Sequence, residues 1–283
     1  NSGKVAEYIY SCRQMGIQIL PPDINKSVGT FSVENGNIRF GLTAIKSVGR
    51  PVIQAIIEER NERGEFKHLK DFIERMGGRE VNKRTIENFI KAGVFDSLGG
   101  TRKQFMMIYI QIMDQVNQER KYSMTGQMSL FDLVDDEQKK EFEIPLPKVG
   151  EYEKENKLAF EKEVLGVYLT GHPLEDYEEK WKKSISRTTL DFQIDDETGR
   201  SRVRDGAKEI VGGMITNKTI KYTRNNKTMA FLTIEDLMGT VEVVVFPRDY
   251  ERNQNYLNED SKVFVKGRVS EEDDAPSKLI CET

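Results

Sequence analysis

Up to Tyr122 the apolar residues recur every three or four positions, and from Glu209 onward they alternate. The chain therefore changes from helical to strand periodicity along its length. A first helix is expected over residues 5–15, stopped by Gly16 and then by Pro21 and Pro22. Two short strands follow, 30–33 and 38–41, joined through Asn35-Gly36, a pair that tolerates the positive φ of a tight hairpin. Leu42, Ile45 and Val48 carry helical spacing as far as Gly49. Pro51 suits the first turn of the next helix, whose apolar face runs Val52, Ile53, Ile56 and Ile57 and is continued by Phe66, Leu69, Phe72 and Ile73. A second helix–turn–helix is expected from Ile86, Phe89 and Ile90 through a turn at Ala92-Gly93, before a helix over 102–120.

Residues 122–150 lose this pattern and read as a largely unpacked linker. A helix is expected over 152–164 and a polar loop over 191–206. Strands are expected over 210–223, 228–235, 241–246, 261–269 and 278–281, with a short helix over 247–257 between the third and fourth. That order fits an OB-fold, a partly open barrel that binds oligonucleotides on its outer face. Its last strand runs to the end of the chain. The fold class expected is multi-domain α+β: a mainly α-helical tandem helix–hairpin–helix domain followed by a five-stranded β-barrel OB-fold. The segments are 1–41 with the β-hairpin, 42–121 helix–hairpin–helix, 122–150 linker, 151–208 helical connector and 209–283 barrel.

Composition adjusts this picture. With 37% hydrophobic and 32% charged residues over 283 positions, several small cores are expected rather than one large one. No apolar run reaches the roughly 18–20 residues of a membrane helix. The opening, Asn1-Ser2-Gly3-Lys4, has neither initiator Met nor apolar leader and reads as cut from a longer chain. Cys12 and Cys281 fit a reducing, cytoplasmic setting and, with only His68 and His172 besides, offer no zinc-ligand spacing. The net charge of −4 hides an uneven distribution: +1 over 1–41, +4 over 42–131, −8 over 132–200 and −1 over 201–283. A basic segment thus precedes an acidic one.

Three features carry candidate chemistry. In a helix–hairpin–helix, glycine lets main-chain N–H groups approach a phosphate, and the following helix offers its positive N-terminus. Here the turn is Lys46-Ser47-Val48-Gly49-Arg50, with Ser47 where the usual pattern has glycine. An ordinary helical hairpin is the competing reading. In the second unit Lys91, Arg102 and Lys103 are candidate phosphate contacts, against a solvated charged face. The linker holds Gln127-Met128-Ser129-Leu130-Phe131, whose adjacent large apolar residues suit a partner's pocket, with Gln127 as a hydrogen-bonding group at its rim. The competing reading folds Leu130 and Phe131 onto the chain's own core. In the barrel, Lys218, Lys221, Tyr222, Arg224 and Lys227 cluster on the first hairpin, with Phe231 and Phe246 on the next strands. Cations that track a backbone, interleaved with aromatics that stack on bases, suit single-stranded DNA. Burial of both phenylalanines in the core is the alternative. No Walker A loop is present, and Asp135-Asp136-Glu137 reads as a solvated acidic run. No catalytic residue, metal site or cofactor is assigned to this chain.

Four strings resemble one family. YSCRQMGIQILPPDIN over 10–25 is similar to the end of the fingers region in the α subunit of bacterial DNA polymerase III. FGLTAIKSVG over 40–49 and FIKAGVFDSL over 89–98 resemble its two helix–hairpin–helix units. KEVLGVYLTGHPL over 162–174 resembles the stretch leading toward its OB domain. The resemblance implies duplex DNA at residues 46–50, single-stranded template at the barrel, and docking of the β sliding clamp by residues 127–131. Other holoenzyme subunits are implied as further partners, and no membrane. It also implies that the metal-binding aspartates of the palm, where the polymerase uses Mg2+, lie upstream of Asn1, so that this chain alone is inactive as a nucleotidyltransferase. The alternative is a free-standing single-strand-binding or repair accessory protein with a clamp-docking peptide. A synthetase with an anticodon-binding barrel lacks any nucleotide-site motif here.

Overall fold

The computed structural model describes residues 2–77, 81–124, 144–195, 198–272 and 275–283. The chain forms two compact units: Gly16–Thr170, and Asn1–Met15 together with Gly171–Thr283. The expected segment 1–41 is therefore divided after Met15, and the expected connector 151–208 after Thr170. Helix α1 (Ser2–Gln14) groups with the C-terminal unit through polar bonds that its sequence did not advertise. Tyr10 and Gln14 both donate to the Glu178 carboxylate, at 3.2 and 3.4 Å, and Arg13 donates to the Gly171 carbonyl at 3.5 Å.

The unit Gly16–Thr170 begins with a small sheet. β1 (Ile19–Leu20) pairs in parallel with β3 (Asn37–Arg39), which pairs antiparallel with β2 (Ser32–Glu34). Asn35 and Gly36 both have positive φ, as the two-residue hairpin requires. The helix expected from Leu42 to Val48 is only a 3-10 turn, Leu42–Ala44. The extended backbone at Ile45 ends it, so the period-three spacing came from one turn and a loop. Four helices follow: α2 (Arg50–Arg63), α3 (Leu69–Met76), α4 (Lys83–Ala92) and α5 (Arg102–Met124). α6 (Lys154–Leu165) completes the unit. Phe72 is the hub of the core, its ring 5.1 Å from Phe66, 6.2 Å from Phe89 and 5.0 Å from Phe95, and all four are buried. Edge-to-face rings of this kind lock α3 against α4 and the loop beyond it. In the described part of the expected linker, 144–150, no residue is buried, and Gln104 donates to the Pro147 carbonyl at 2.8 Å.

In the other unit, α7 (Glu178–Ser184) is pinned to the barrel by Trp181, whose indole N–H donates to the Gly212 carbonyl at 2.8 Å. The barrel strands are β4 (Lys208–Tyr222), β5 (Thr228–Glu235), β6 (Thr240–Val245), β7 (Lys262–Glu272) and β8 (Ala275–Cys281). α8 (Pro247–Asn253) lies between β6 and β7, as expected. The order β4-β5-β6-β8-β7 closes on itself, and the last strand pairs with both β6 and β7. Alternation fills the interior with Val211, Ile215, Leu232, Ile234, Val243 and Val265. Buried Asp236 fastens the β5–β6 turn by accepting from the Thr189 amide and hydroxyl and from the amides of Met238 and Gly239. Among the described residues no helix is long and apolar enough to cross a membrane.

Candidate nucleic-acid interfaces

The turn Lys46–Arg50 leads directly into α2. Ser47 takes the left-handed conformation, φ +62°, that glycine adopts without cost, and its side chain is exposed. Gly49 is the N-cap, with extended backbone and no side-chain cap, and no acidic residue sits in the first turn of α2. The N-terminus of α2 is thus left open to an anion beside exposed Gly49 and Arg50. Three bonds of 2.8 Å hold the turn in place. The Lys46 amide donates to the Val164 carbonyl, Asn88 donates to the Lys46 carbonyl, and the Lys46 ammonium donates to the Glu163 carbonyl. Lys46 therefore serves the C-terminal end of α6 rather than standing free in solvent, which suits a cation at a helix C-terminus.

The second group of expected cations is also engaged. Lys91 bonds the carboxylates of Glu163 at 2.8 Å and Glu87 at 2.9 Å. Partial burial opposes its charge, but these carboxylates hold its pKa above the ordinary lysine value. Arg102 is corrected outright as a phosphate contact. It is 3% exposed and buried between Asp96, reached by three bonds of 2.9–3.1 Å, and Glu161 at 3.3 Å. Glu161 is fully buried and also accepts from the amides of Leu169 and Thr170 and from the Thr170 hydroxyl. Burial raises the Asp96 carboxyl against the pull of Arg102, and it works against the Arg102 charge that Asp96 and Glu161 sustain. Gly93 makes room for this pair: with φ +79°, a Cβ there would collide with the Arg102 guanidinium and the Asp96 carboxylate. Lys103 is half-buried, its amide bonded to Glu151 and its ammonium 5.9 Å from the Tyr152 ring. Glu151 is partly buried, which opposes its charge, but the amides of Tyr152, Arg102 and Lys103 hold it below the usual carboxylate range. The peptide at residues 127–131 lies outside the described residues.

In the barrel unit, the hairpin of β4 and β5 extends past the core, so that Ile220 and Tyr222 are 45% and 69% exposed. The strand register splits the expected cluster between two faces. Lys221 lies on one face with Phe231, its ammonium 4.5 Å from the ring, while Lys218 and Tyr222 alternate onto the other. Lys218 approaches the Tyr250 ring of α8 at 5.5 Å. Arg224 and Lys227 are exposed at the connecting turn, which Asn226 closes with φ +60°. Neither phenylalanine belongs to the core: Phe231 is half-buried on the face opposite Ala230 and Leu232, and Phe246 is 46% exposed.

Residues 16–105 match the family model for a helix-hairpin-helix motif, and residues 210–282 match that for an OB-fold nucleic acid binding domain. Relatives described as DNA polymerase III subunit alpha align over nearly all of the chain. That of Borreliella burgdorferi is 35% identical over 95% of this chain and 23% of its own length. Those of Thermus aquaticus and Aquifex aeolicus are 35% and 36% identical, over 95% and 96% of this chain and 21% of theirs. Over nearly all of its length the chain is similar to one segment of the bacterial DNA polymerase III α subunit. It spans less than a quarter of the length of these relatives. Asparaginyl-tRNA synthetase from Pyrococcus horikoshii is 24% identical over 28% of this chain and 19% of its own, with a TM-score of 0.24. The SSB domain of a Synechococcus protein is 13% identical over 29% of this chain and 94% of its own, also at 0.24. At those scores nothing further about this chain follows.

The residue that sequence reading missed is Glu163. Its carbonyl and carboxylate engage two lysines that stand 117 and 72 positions away, a pairing that no local pattern signals. The Ser47 conformation, by contrast, was foreshadowed by a serine at a glycine position. Ser47→Gly should raise stability by about 0.5–1 kcal/mol, left-handed relief less the added chain entropy. Urea unfolding checks this; a loss of stability would mean that the serine side chain makes a contact worth more than the strain.

Proposed function

We propose that this chain is the DNA-holding and clamp-tethering part of a replicative polymerase. The observation that carries the reading is the open N-terminus of α2, presented by a braced turn, with no acidic residue in the helix's first turn. Duplex phosphate sits at Ser47–Arg50, held by main-chain N–H groups and by the exposed Arg50 guanidinium. Lys46 and Lys91 contribute to the local potential through the α6 terminus, and Lys103 flanks it at half-burial. The barrel hairpin takes single-stranded DNA, with Lys221, Arg224 and Lys227 along the backbone and Phe231 and Tyr222 as stacking surfaces on opposite faces. Gln127-Met128-Ser129-Leu130-Phe131 lies in sequence between the two family-matched regions and supplies the docking peptide for the sliding clamp. In the whole polymerase these contacts keep template and primer engaged while synthesis proceeds.

Duplex binding by the full chain, followed against salt concentration, tests the first part. Arg50→Glu should weaken binding and lower the salt slope by about 0.9, the share of one phosphate contact. Glu163→Gln, which removes a carboxylate from Lys91, should strengthen binding. Unchanged affinity in both variants would contradict the assignment. For the peptide, Leu130→Ala with Phe131→Ala should cost at least about 2 kcal/mol in binding a bacterial sliding clamp, a loss of roughly 30-fold. Equal clamp affinity for variant and parent would remove the tether.

A further inference from the structure

The barrel carries a second basic and aromatic row, away from its first hairpin. Alternation along β7 turns Val263, Val265, Gly267 and Val269 inward and leaves Lys262, Phe264, Lys266 and Arg268 exposed. Alternate residues on a strand stand about 6.7 Å apart, comparable with neighbouring phosphates on a stretched single strand. The adjoining strand extends the row, since Lys208 of β4 lies opposite Arg268. Phe264 is 42% exposed and lies against Gly212 of β4, where a Cβ would strike its ring. The flat ring therefore covers the side-chain-free position Gly212, which Ile185 also approaches, and stays partly exposed to solvent. At the end of the row the Lys262 ammonium stands 4.3 Å from the ring of Tyr177, itself 47% exposed. Glu282 offsets part of the charge by pairing with Lys208 at 3.3 Å and Arg268 at 3.4 Å, which leaves four cations against one acid.

We infer that this β4–β7 face is a second track for single-stranded DNA, separate from the β4–β5 hairpin. Cations flanking an exposed ring fit a phosphate backbone with a base stacked on Phe264. A protein partner would want a charge-depleted apolar centre, and here the ring is flanked along its strand by Lys262 and Lys266. β4 belongs to both surfaces, with Lys208 at its start and Lys218 to Tyr222 at its end. A strand too long for the hairpin would run on along it. The inference rests on the reading of the barrel as a single-strand binder.

The test uses the full chain and two oligothymidylates, about 6 and about 25 nucleotides long, spanning the range of site sizes seen for single OB-folds. Lys266→Glu with Arg268→Glu should leave the short oligonucleotide bound as before. It should weaken the long one severalfold and lower its salt slope by about 1.4, the share of two single-strand phosphates. Phe264→Ala should weaken the long one without changing that slope. Equal affinity for both lengths in both variants would overturn the inference while leaving the hairpin reading intact. Loss of the short and long oligonucleotides together would overturn it too, because the two surfaces would then act as one. If Lys221→Glu changes nothing while the β7 variants weaken binding, the hairpin reading fails and the β7 track stands. All of these substitutions are at exposed positions, and an unchanged thermal unfolding curve shows that each variant is folded.

Discussion

The helical unit depends on one buried ion network. Arg102 at the start of α5 reaches Asp96 in the loop before it and Glu161 in the middle of α6. Removing Arg102 would leave the fully buried Glu161 carboxylate without its ionic partner, a loss of about 3–5 kcal/mol, whereas Asp96 is 40% exposed and its pairing is worth less. The network's consequence is positional. With Glu161 fixed, the last turn of α6 presents the carbonyls of Glu163 and Val164 to Lys46, and Asn88 of α4 fastens the same residue from the other side. The turn is thereby held tightly enough to keep Ser47 in a conformation it would not choose. α2 then starts at a fixed place with its terminus open. A basic-looking arginine thus contributes to the phosphate site by standing far from solvent and bracing the turn.

The barrel works by length rather than burial. β4 has 15 residues, more than the core can cover. Its first half closes the barrel with β7 and its second half forms an exposed arm with β5, the change falling at the irregularity between Ile215 and Asn217. One strand therefore supplies backbone to two outward surfaces. The aromatic residues on them are exposed because the interior is filled by aliphatic residues from every strand.

The elements were largely legible, because amphipathic period and glycine or proline stops act locally. The five barrel strands, the helix after β6 and the Asn35-Gly36 hairpin lie where alternation and turn chemistry put them. The reading of a helix over Leu42–Val48 failed because three apolar residues at spacing three describe a 3-10 turn and a loop equally well. The cations were least legible. Sequence gives the charge of Arg102, Lys91 and Lys46, but apart from Glu87, one helical turn before Lys91, their partners come from α4, α6 and the loop before α5, brought near only by folding. Likewise, no pattern within α1 signals that Tyr10 meets Glu178, 168 positions away.

The central claim, that duplex phosphate lands on the turn before α2, is most directly tested by amide chemical-shift changes on titrating the chain with a short duplex. The amides of Ser47, Val48, Gly49, Arg50 and Val52 should move first and together, and the shifts should vanish at high salt. Shifts confined to other surfaces, with these five amides unmoved at saturation, would contradict it.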